Sequence, residues 1–178
     1  MKKKANNKTL KTKIEPTKIY DEDGNLSAEV FYADDKLNGK CKWFYQNGKI
    51  LKECLYKEGR KNGKYKSYYQ NGKVFEDSAY KNDKLEGVCH LYYDNGNPRK
   101  TITFKNGKKH GISQSFYETG QLRYEGNFSG DMAQGIHKVY DEQGKLKYQA
   151  EFADNELLKA SKPHLSDKIK GFVKKIFG

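Results

Sequence analysis

The stretch Gly48-Lys-Ile-Leu-Lys-Glu-Cys-Leu-Tyr-Lys-Glu-Gly-Arg-Lys-Asn-Gly-Lys-Tyr-Lys-Ser-Tyr-Tyr-Gln-Asn-Gly72 decides the fold. Its bounding glycines lie 24 residues apart, and that interval carries two longer series. One is Gly24, Gly48, Gly72, Gly96, Gly120 and Gly144; the other, offset by fifteen, is Gly39, Gly63, Gly87, Gly111 and Gly135. At half the interval an aromatic recurs without a slip, from Tyr20 and Tyr32 through Phe44, Tyr56, Tyr68, Tyr80, Tyr92, Phe104, Phe116, Phe128 and Tyr140 to Phe152. A fixed period of this size marks a repeat array, in which each unit buries its apolar side only by stacking on its neighbours. Function is then to be sought on a surface that many repeats build together.

Within the quoted unit, Ile50, Cys54 and Tyr56 sit at even spacing, so they share one face of an extended strand. The positions equivalent to Cys54 are Val30, Ser78, Ile102, Gly126 and Ala150, mostly small, as suits a site crowded against the next hairpin. Asn-Gly recurs at 38, 47, 62, 71, 95 and 106. Both residues tolerate positive φ, and the dipeptide between apolar runs signals a tight hairpin. In this reading the polar segment after Tyr56 ends at a turn on Asn62-Gly63. Each repeat is therefore expected to be a β-hairpin, giving about 11–12 short antiparallel strands in one twisted sheet. Pro98 replaces the Ile50-type aliphatic and lacks a ladder donor, so a local irregularity is expected there.

The expected organisation is a flexible basic arm over residues 1–18, a repeat domain over 19–154, and a linker with an amphipathic α-helix over 155–178. In the last segment Leu165, Ile169, Phe172, Val173, Ile176 and Phe177 recur as one face of a helix, with lysines largely opposite. Such a helix would cap the last hairpin, lie on an anionic membrane surface, or dock into a partner's groove.

The chain is 35% apolar and 33% charged, thin for a two-layer globule, but fourteen Tyr and nine Phe can hold a one-layer sheet together. Of the formal +12, residues 1–19 carry +6 and residues 156–178 carry +4, leaving the repeat body near neutral. A protein that follows a phosphate backbone needs a basic body, so nucleic acid is not an expected partner. Three cysteines make no disulfide framework: Cys41 and Cys89 share a register two repeats apart, about 19 Å at ~4.8 Å per strand. Reduced thiols and a cytoplasmic location are expected, since no apolar run follows Met1-Lys2-Lys3-Lys4 to complete a signal peptide.

His90, His110 and His137 occupy three different registers, and His164 lies in the tail. No nucleophile motif or phosphate-cradling loop is present, so no catalytic residue, metal or cofactor is assigned. The twelve-residue aromatic series reads as a ladder facing the core. Tyr45, Tyr69, Tyr93 and Tyr117 each follow a ladder aromatic and so point to the opposite face, which Trp43 shares. Rows of exposed Tyr and Trp suit interfaces, so Trp43, Tyr45, Tyr69, Tyr93 and Tyr117 are the candidate partner-binding residues.

The segments Phe44-Tyr45-Gln46-Asn47-Gly48, Tyr68-Tyr69-Gln70-Asn71-Gly72, Tyr92-Tyr93-Asp94-Asn95-Gly96 and Phe116-Tyr117-Glu118-Thr119-Gly120 carry a family resemblance. With the flanking Gly-Lys-aliphatic and Lys-Asn-Gly elements, the pattern resembles the MORN-repeat variant of bacterial YwqK-like proteins, a group associated with antitoxin components. It covers roughly residues 20–153; Asp21 and Asp141 depart from it where inner copies have the second Tyr. The resemblance implies a single-layer hairpin array acting as an interaction module, with a protein partner such as a toxin, and keeps a membrane-surface role as the alternative.

Overall fold

The computed structural model describes residues 15–161 and Gly171. The chain runs as β1 (Thr17–Tyr20), β2 (Leu26–Val30), β3 (Tyr32–Ala33), β4 (Lys36–Leu37), β5 (Gly39–Phe44), β6 (Ile50–Lys57), β7 (Arg60–Tyr68) and β8 (Val74–Lys81). It continues as β9 (Lys84–Leu85), β10 (Gly87–Tyr92), β11 (Pro98–Lys105), β12 (Lys108–Phe116), β13 (Leu122–Ser129), β14 (Met132–Tyr140), β15 (Leu146–Ala153) and β16 (Glu156–Ala160). β3 and β4 pair only with each other; the rest form one 14-stranded sheet in the order β1-β2-β5-β6-β7-β8-β10-β11-β12-β13-β14-β15-β16, with β9 beside β8. Every pairing is antiparallel, as expected of consecutive hairpins. The amphipathic helix expected over Leu165–Phe177 lies outside the described residues, as does most of the basic arm.

Two kinds of turn alternate. The longer closes on segments such as Tyr45–Lys49, where the Tyr45 N–H donates to the Lys49 carbonyl at 2.8 Å and the Gly48 N–H to the Tyr45 carbonyl at 2.9 Å. Gly48 takes φ +75 here, and the Asn47 side chain accepts the Lys49 N–H at 3.1 Å. The shorter turn has two residues, both at positive φ: Asp34-Asp35, Glu58-Gly59, Asn82-Asp83, Asn106-Gly107, Gly130-Asp131 and Asp154-Asn155. That is the mirror-image turn whose twist matches the flanking strands.

The shorter turn thus falls four residues before Asn62-Gly63, where the sequence pattern points. Gly63 lies instead inside β7, at φ +125, in a bulge: Cys54 pairs with Tyr65 while Tyr56 pairs with Lys61, so Asn62, Gly63 and Lys64 stand across from Leu55 alone. A Cβ on Gly63 would meet the Leu55 side chain at 2.9 Å. The bulge recurs 48 residues on, where Ile102 pairs with Ser113 and Phe104 with Lys109.

The registers also sort the side chains into faces, because directly paired residues share a face. On the packed face lie Cys41, Cys54, Tyr65, Ser78, Cys89, Ile102, Ser113, Tyr124, Val139 and Tyr148, with Tyr56, Tyr80, Phe104, Phe128 and Phe152 of the aromatic series. Phe44, Tyr68, Tyr92, Phe116 and Tyr140 point the other way. The twelve-residue series is therefore two ladders, one per face, which corrects the expectation of a single core ladder. From β1 to β15, away from the long turns, the registers pair an odd-numbered with an even-numbered residue, so residues 12 apart fall on opposite faces and residues 24 apart on the same one.

The main buried cluster holds Ile102, Tyr124, Phe128, Ala133, Val139, Ala150 and Phe152; a second joins Ala28, Val30 and Cys41, with Trp43 and Tyr56 packed against it. Pro98 causes no exceptional irregularity. It occupies the first position of β11, and the register shift beside it at Leu91/Tyr92 recurs at Trp43/Phe44, Ser67/Tyr68, Ser115/Phe116 and Val139/Tyr140.

This sidedness predicts unequal costs for two residues of one series. Phe128→Ala, 3% exposed on the packed face, should cost about 3–5 kcal/mol in urea unfolding. Phe116→Ala, half-buried on the other face, should cost roughly half as much; equal losses would contradict the assignment.

Candidate interaction face

Opposite the packed face, one polar residue per strand lines up across the sheet. Each of Lys18, Glu29, Lys42, Glu53, Lys66, Asp77, His90, Thr101, Gln114, Glu125, Lys138 and Gln149 is the direct cross-strand partner of the next. Charge alternates along the first six and returns at Glu125 and Lys138. Ion pairs close between Lys66 and Asp77 at 2.9 Å, Lys138 and Glu125 at 3.2 Å, and Lys42 and Glu29 at 3.7 Å; Lys40 reaches Glu53 at 2.7 Å. Burial would raise the Glu53 carboxyl, but the bond to Lys40 and its charge outweigh that and hold it below the usual range. Exposed pairs of this kind add only ~0–1 kcal/mol each, so the ladder sets the character of the face more than its stability.

Aromatic residues flank this ladder on the long-turn side. The Tyr68 hydroxyl donates to Glu53 at 3.2 Å and the Tyr140 hydroxyl to Glu125 at 2.9 Å. At the rim itself, Tyr45, Tyr69, Tyr93 and Tyr117 form a row in which each hydroxyl donates to a carbonyl 23 residues on: Tyr68, Tyr92, Phe116 and Tyr140, at 2.6, 2.8, 2.8 and 2.9 Å. Their rings are half-buried and meet the ladder face: Tyr69 packs edge-on against Phe75, and the Arg99 and Arg123 guanidinium groups lie 5.9 and 5.4 Å from the Tyr93 and Tyr117 ring centres. These four tyrosines are thus inter-repeat staples as well as rim residues. Trp43 does not join them. Its partner in the register is Lys52, on the packed face, and its ring lies 6.0 Å from Tyr56.

Sequence reasoning missed a row on the short-turn side of the ladder. Val88, Ile112 and Ile136 follow the bulge glycines Gly87, Gly111 and Gly135 at the same 24-residue interval, and they are 46%, 62% and 54% exposed. Their register partners Thr103, Asn127 and Glu151 place them on the ladder face. In the first two units the position holds Lys40 and Lys64, so the row changes from basic to aliphatic along the array. The substitution was visible in the sequence; its exposure was not, because the face depends on register. Beside Ile136 a cleft of about 170 Å³ opens between Gln149, Glu151 and Lys159.

The histidines do not converge. His90 belongs to the polar ladder, 3.4 Å from the Thr101 hydroxyl, and His110 is exposed. His137 is buried on the packed face with both nitrogens engaged: Nε2–H donates to the Asn127 carbonyl at 2.9 Å, so Nδ1 accepts the Tyr124 hydroxyl at 2.6 Å. Gly126 makes room for that bond, since a Cβ there would stand 2.4 Å from the Tyr124 oxygen and 2.6 Å from Nδ1. Burial lowers the His137 pKa against the pull of its two carbonyl acceptors. This is a structural histidine, held neutral.

Six successive segments of the chain, residues 16–34, 37–58, 61–82, 85–106, 109–129 and 133–154, match the family model described as MORN repeat variant, and together they span well over half of it. No curated protein matches the sequence.

A neutral buried histidine makes stability depend on pH with a definite sign. Because the folded-state pKa is depressed, the unfolded chain takes up the proton first, so stability should hold above about pH 6.5 and fall as the pH drops below it. Urea titrations at pH 7.5 and 5.5 should show a smaller loss for His137→Gln than for the natural chain; equal losses would mean that His137 is not the group responsible.

Proposed function

Because the chain belongs to the MORN repeat variant family, a binding-repeat family, we propose that it is a non-catalytic, cytoplasmic interaction module that presents the ladder face to a protein partner. The observation that carries this reading is the row Val88, Ile112 and Ile136. Isolated exposed aliphatics are ordinary on any surface, but these three recur in register on alternate strands, about 10 Å apart. With the tyrosine rim opposite and the charged ladder between, they give one face an apolar margin, a polar centre and an aromatic margin. Tyr45, Tyr69, Tyr93 and Tyr117, fixed by their hydroxyl bonds, would offer ring area at little further entropy cost. Trp43 lies on the packed face and would contribute at most through its neighbours. The YwqK-like resemblance makes a toxin the first partner to test.

The test is a variant that borrows residues the array already uses. Ile112→Lys with Ile136→Lys copies the Lys40 and Lys64 of the first units, so the fold should tolerate both. With the partner captured by the natural chain and its affinity measured by calorimetry, the double variant should bind at least tenfold more weakly while its melting curve is unchanged. Full affinity in the variant would overturn the assignment of this face. A membrane-surface role through Leu165, Ile169, Phe172, Val173, Ile176 and Phe177 is the alternative proposal; it is favoured by their sequence spacing and by the lysines between them. Co-sedimentation with anionic vesicles that is weakened by salt and lost on truncation after Ser161, which keeps β16, would support it over a protein partner.

A further inference from the structure

We propose that Cys41 and Cys54 form an oxidation-dependent disulfide, a modification site that leaves Cys89 as a free thiol. The two residues are direct cross-strand partners in the β5–β6 hairpin, on the packed face, at 0% and 1% exposure. Opposed residues of an antiparallel pair have Cα atoms about 4.5–5.5 Å apart, inside the ~4.4–6.8 Å range of disulfides. The Cα atoms therefore stand at bridging distance, and a small local approach brings the two Cβ atoms from the ~4.5–5.5 Å of opposed residues to the ~3.5–4.5 Å of a disulfide. Cys89 is the built-in control: it occupies the position of Cys41 two units on, but the residue opposite it is Ile102.

In the structure all three thiols are free and buried. Burial raises the Cys41 thiol and pushes Cys54 to about 11, with Lys61 opposing and Cys41 itself adding to the rise. Both are protonated at neutral pH and shielded from oxidant, so the reaction starts from a local opening of the hairpin and is slow. The oxidant is a low-molecular-weight disulfide such as oxidised glutathione. One protein thiolate attacks it and releases a glutathione thiolate; the second protein thiolate then attacks the mixed disulfide at the protein sulfur and releases another. Two thiols lose two electrons and two protons, and one oxidised glutathione becomes two reduced molecules.

The bridge would span the hairpin that carries the Tyr45–Lys49 turn, and Cys41 already packs with Ala28 and Val30. Oxidation would fasten the first units of the array, whose rim residue Tyr45 reaches Tyr68. The resting chain is the reduced one, and the bridge stiffens it.

Full-length protein would be incubated with oxidised glutathione or with dithiothreitol, each with and without urea just below the unfolding transition, then alkylated and weighed intact. The expected product of oxidation is lighter than the reduced, alkylated chain by two alkyl additions plus about 2 Da for the two lost hydrogens, with a Cys41–Cys54 link on peptide mapping and a melting temperature several degrees higher. Cys89→Ser should still bridge, whereas Cys54→Ser should keep two alkylatable thiols and show no rise. Three alkylated cysteines after oxidation in urea, a link that includes Cys89, or a persistent glutathione adduct on Cys41 or Cys54 would each overturn the proposal.

Discussion

Neighbouring units bond to one another at the turns along both rims of the array, and the rest of the structure depends on that. At the short-turn rim the Gly59 N–H donates to the Leu37 carbonyl and the Gly107 N–H to the Leu85 carbonyl, both at 2.8 Å, while Asp83 and Asp131 side chains accept the Lys61 and Lys109 N–H groups of the preceding unit at 2.8 Å. At the long-turn rim the tyrosine hydroxyls reach forward 23 residues, and Asn71 and Asn95 amides donate to the carbonyls of Asp94 and Glu118. A two-stranded hairpin alone is marginal in water. Here a neighbouring unit supplies further partners at both ends, the Leu37 carbonyl for the Gly59 N–H and the Tyr45 hydroxyl for the Tyr68 carbonyl, which makes the number of residues per unit a strict quantity.

That strictness explains the sidedness of the sheet. Cysteine, serine and alanine lie along the middle of the packed face, and rings from adjacent strands close over them: Tyr65 and Tyr80 meet edge to face at 5.6 Å, as do Phe128 and His137 at 5.3 Å. One layer can bury side chains completely because large and small residues alternate across neighbouring strands. The other face then carries what packing does not use, a charged ladder between two margins of different chemistry. Where the aliphatic margin replaces Lys40 and Lys64 with Val88, Ile112 and Ile136, the surface of the later units diverges from that of the first.

Much of this was legible in the sequence. The period, the hairpins, the single layer and the long turns at Asn47-Gly48, Asn71-Gly72 and Asn95-Gly96 follow from glycine spacing and turn chemistry. The faces did not follow, because alternation holds within a strand while a hairpin resets parity: Tyr56 and Tyr68 are both even and 12 apart, yet Tyr56 pairs with Lys61 and so lies opposite to Tyr68. Of the short turns only Asn106-Gly107 carries the Asn-Gly signal, and the others escaped notice for a related reason. Asp34-Asp35 and Asn82-Asp83 adopt the left-handed conformations that Asn-Gly advertises, while the glycine of Asn62-Gly63 serves a bulge. The same missing register concealed the Cys41–Cys54 pairing, the polar ladder, and the separation of Trp43 from Tyr45.

The structural unit is 24 residues, and 12 residues is only a spacing of rings. Urea unfolding of two deletions tests it directly. Removing residues 85–108, one whole unit, should leave a chain that unfolds in one cooperative transition with an m-value lower by roughly one part in six, in proportion to the surface lost. Removing residues 85–96 preserves the twelve-residue aromatic spacing but joins strands of the wrong direction and face, and should abolish the transition. A cooperative, native-like transition in the shorter deletion, or its loss in the longer one, would contradict the account.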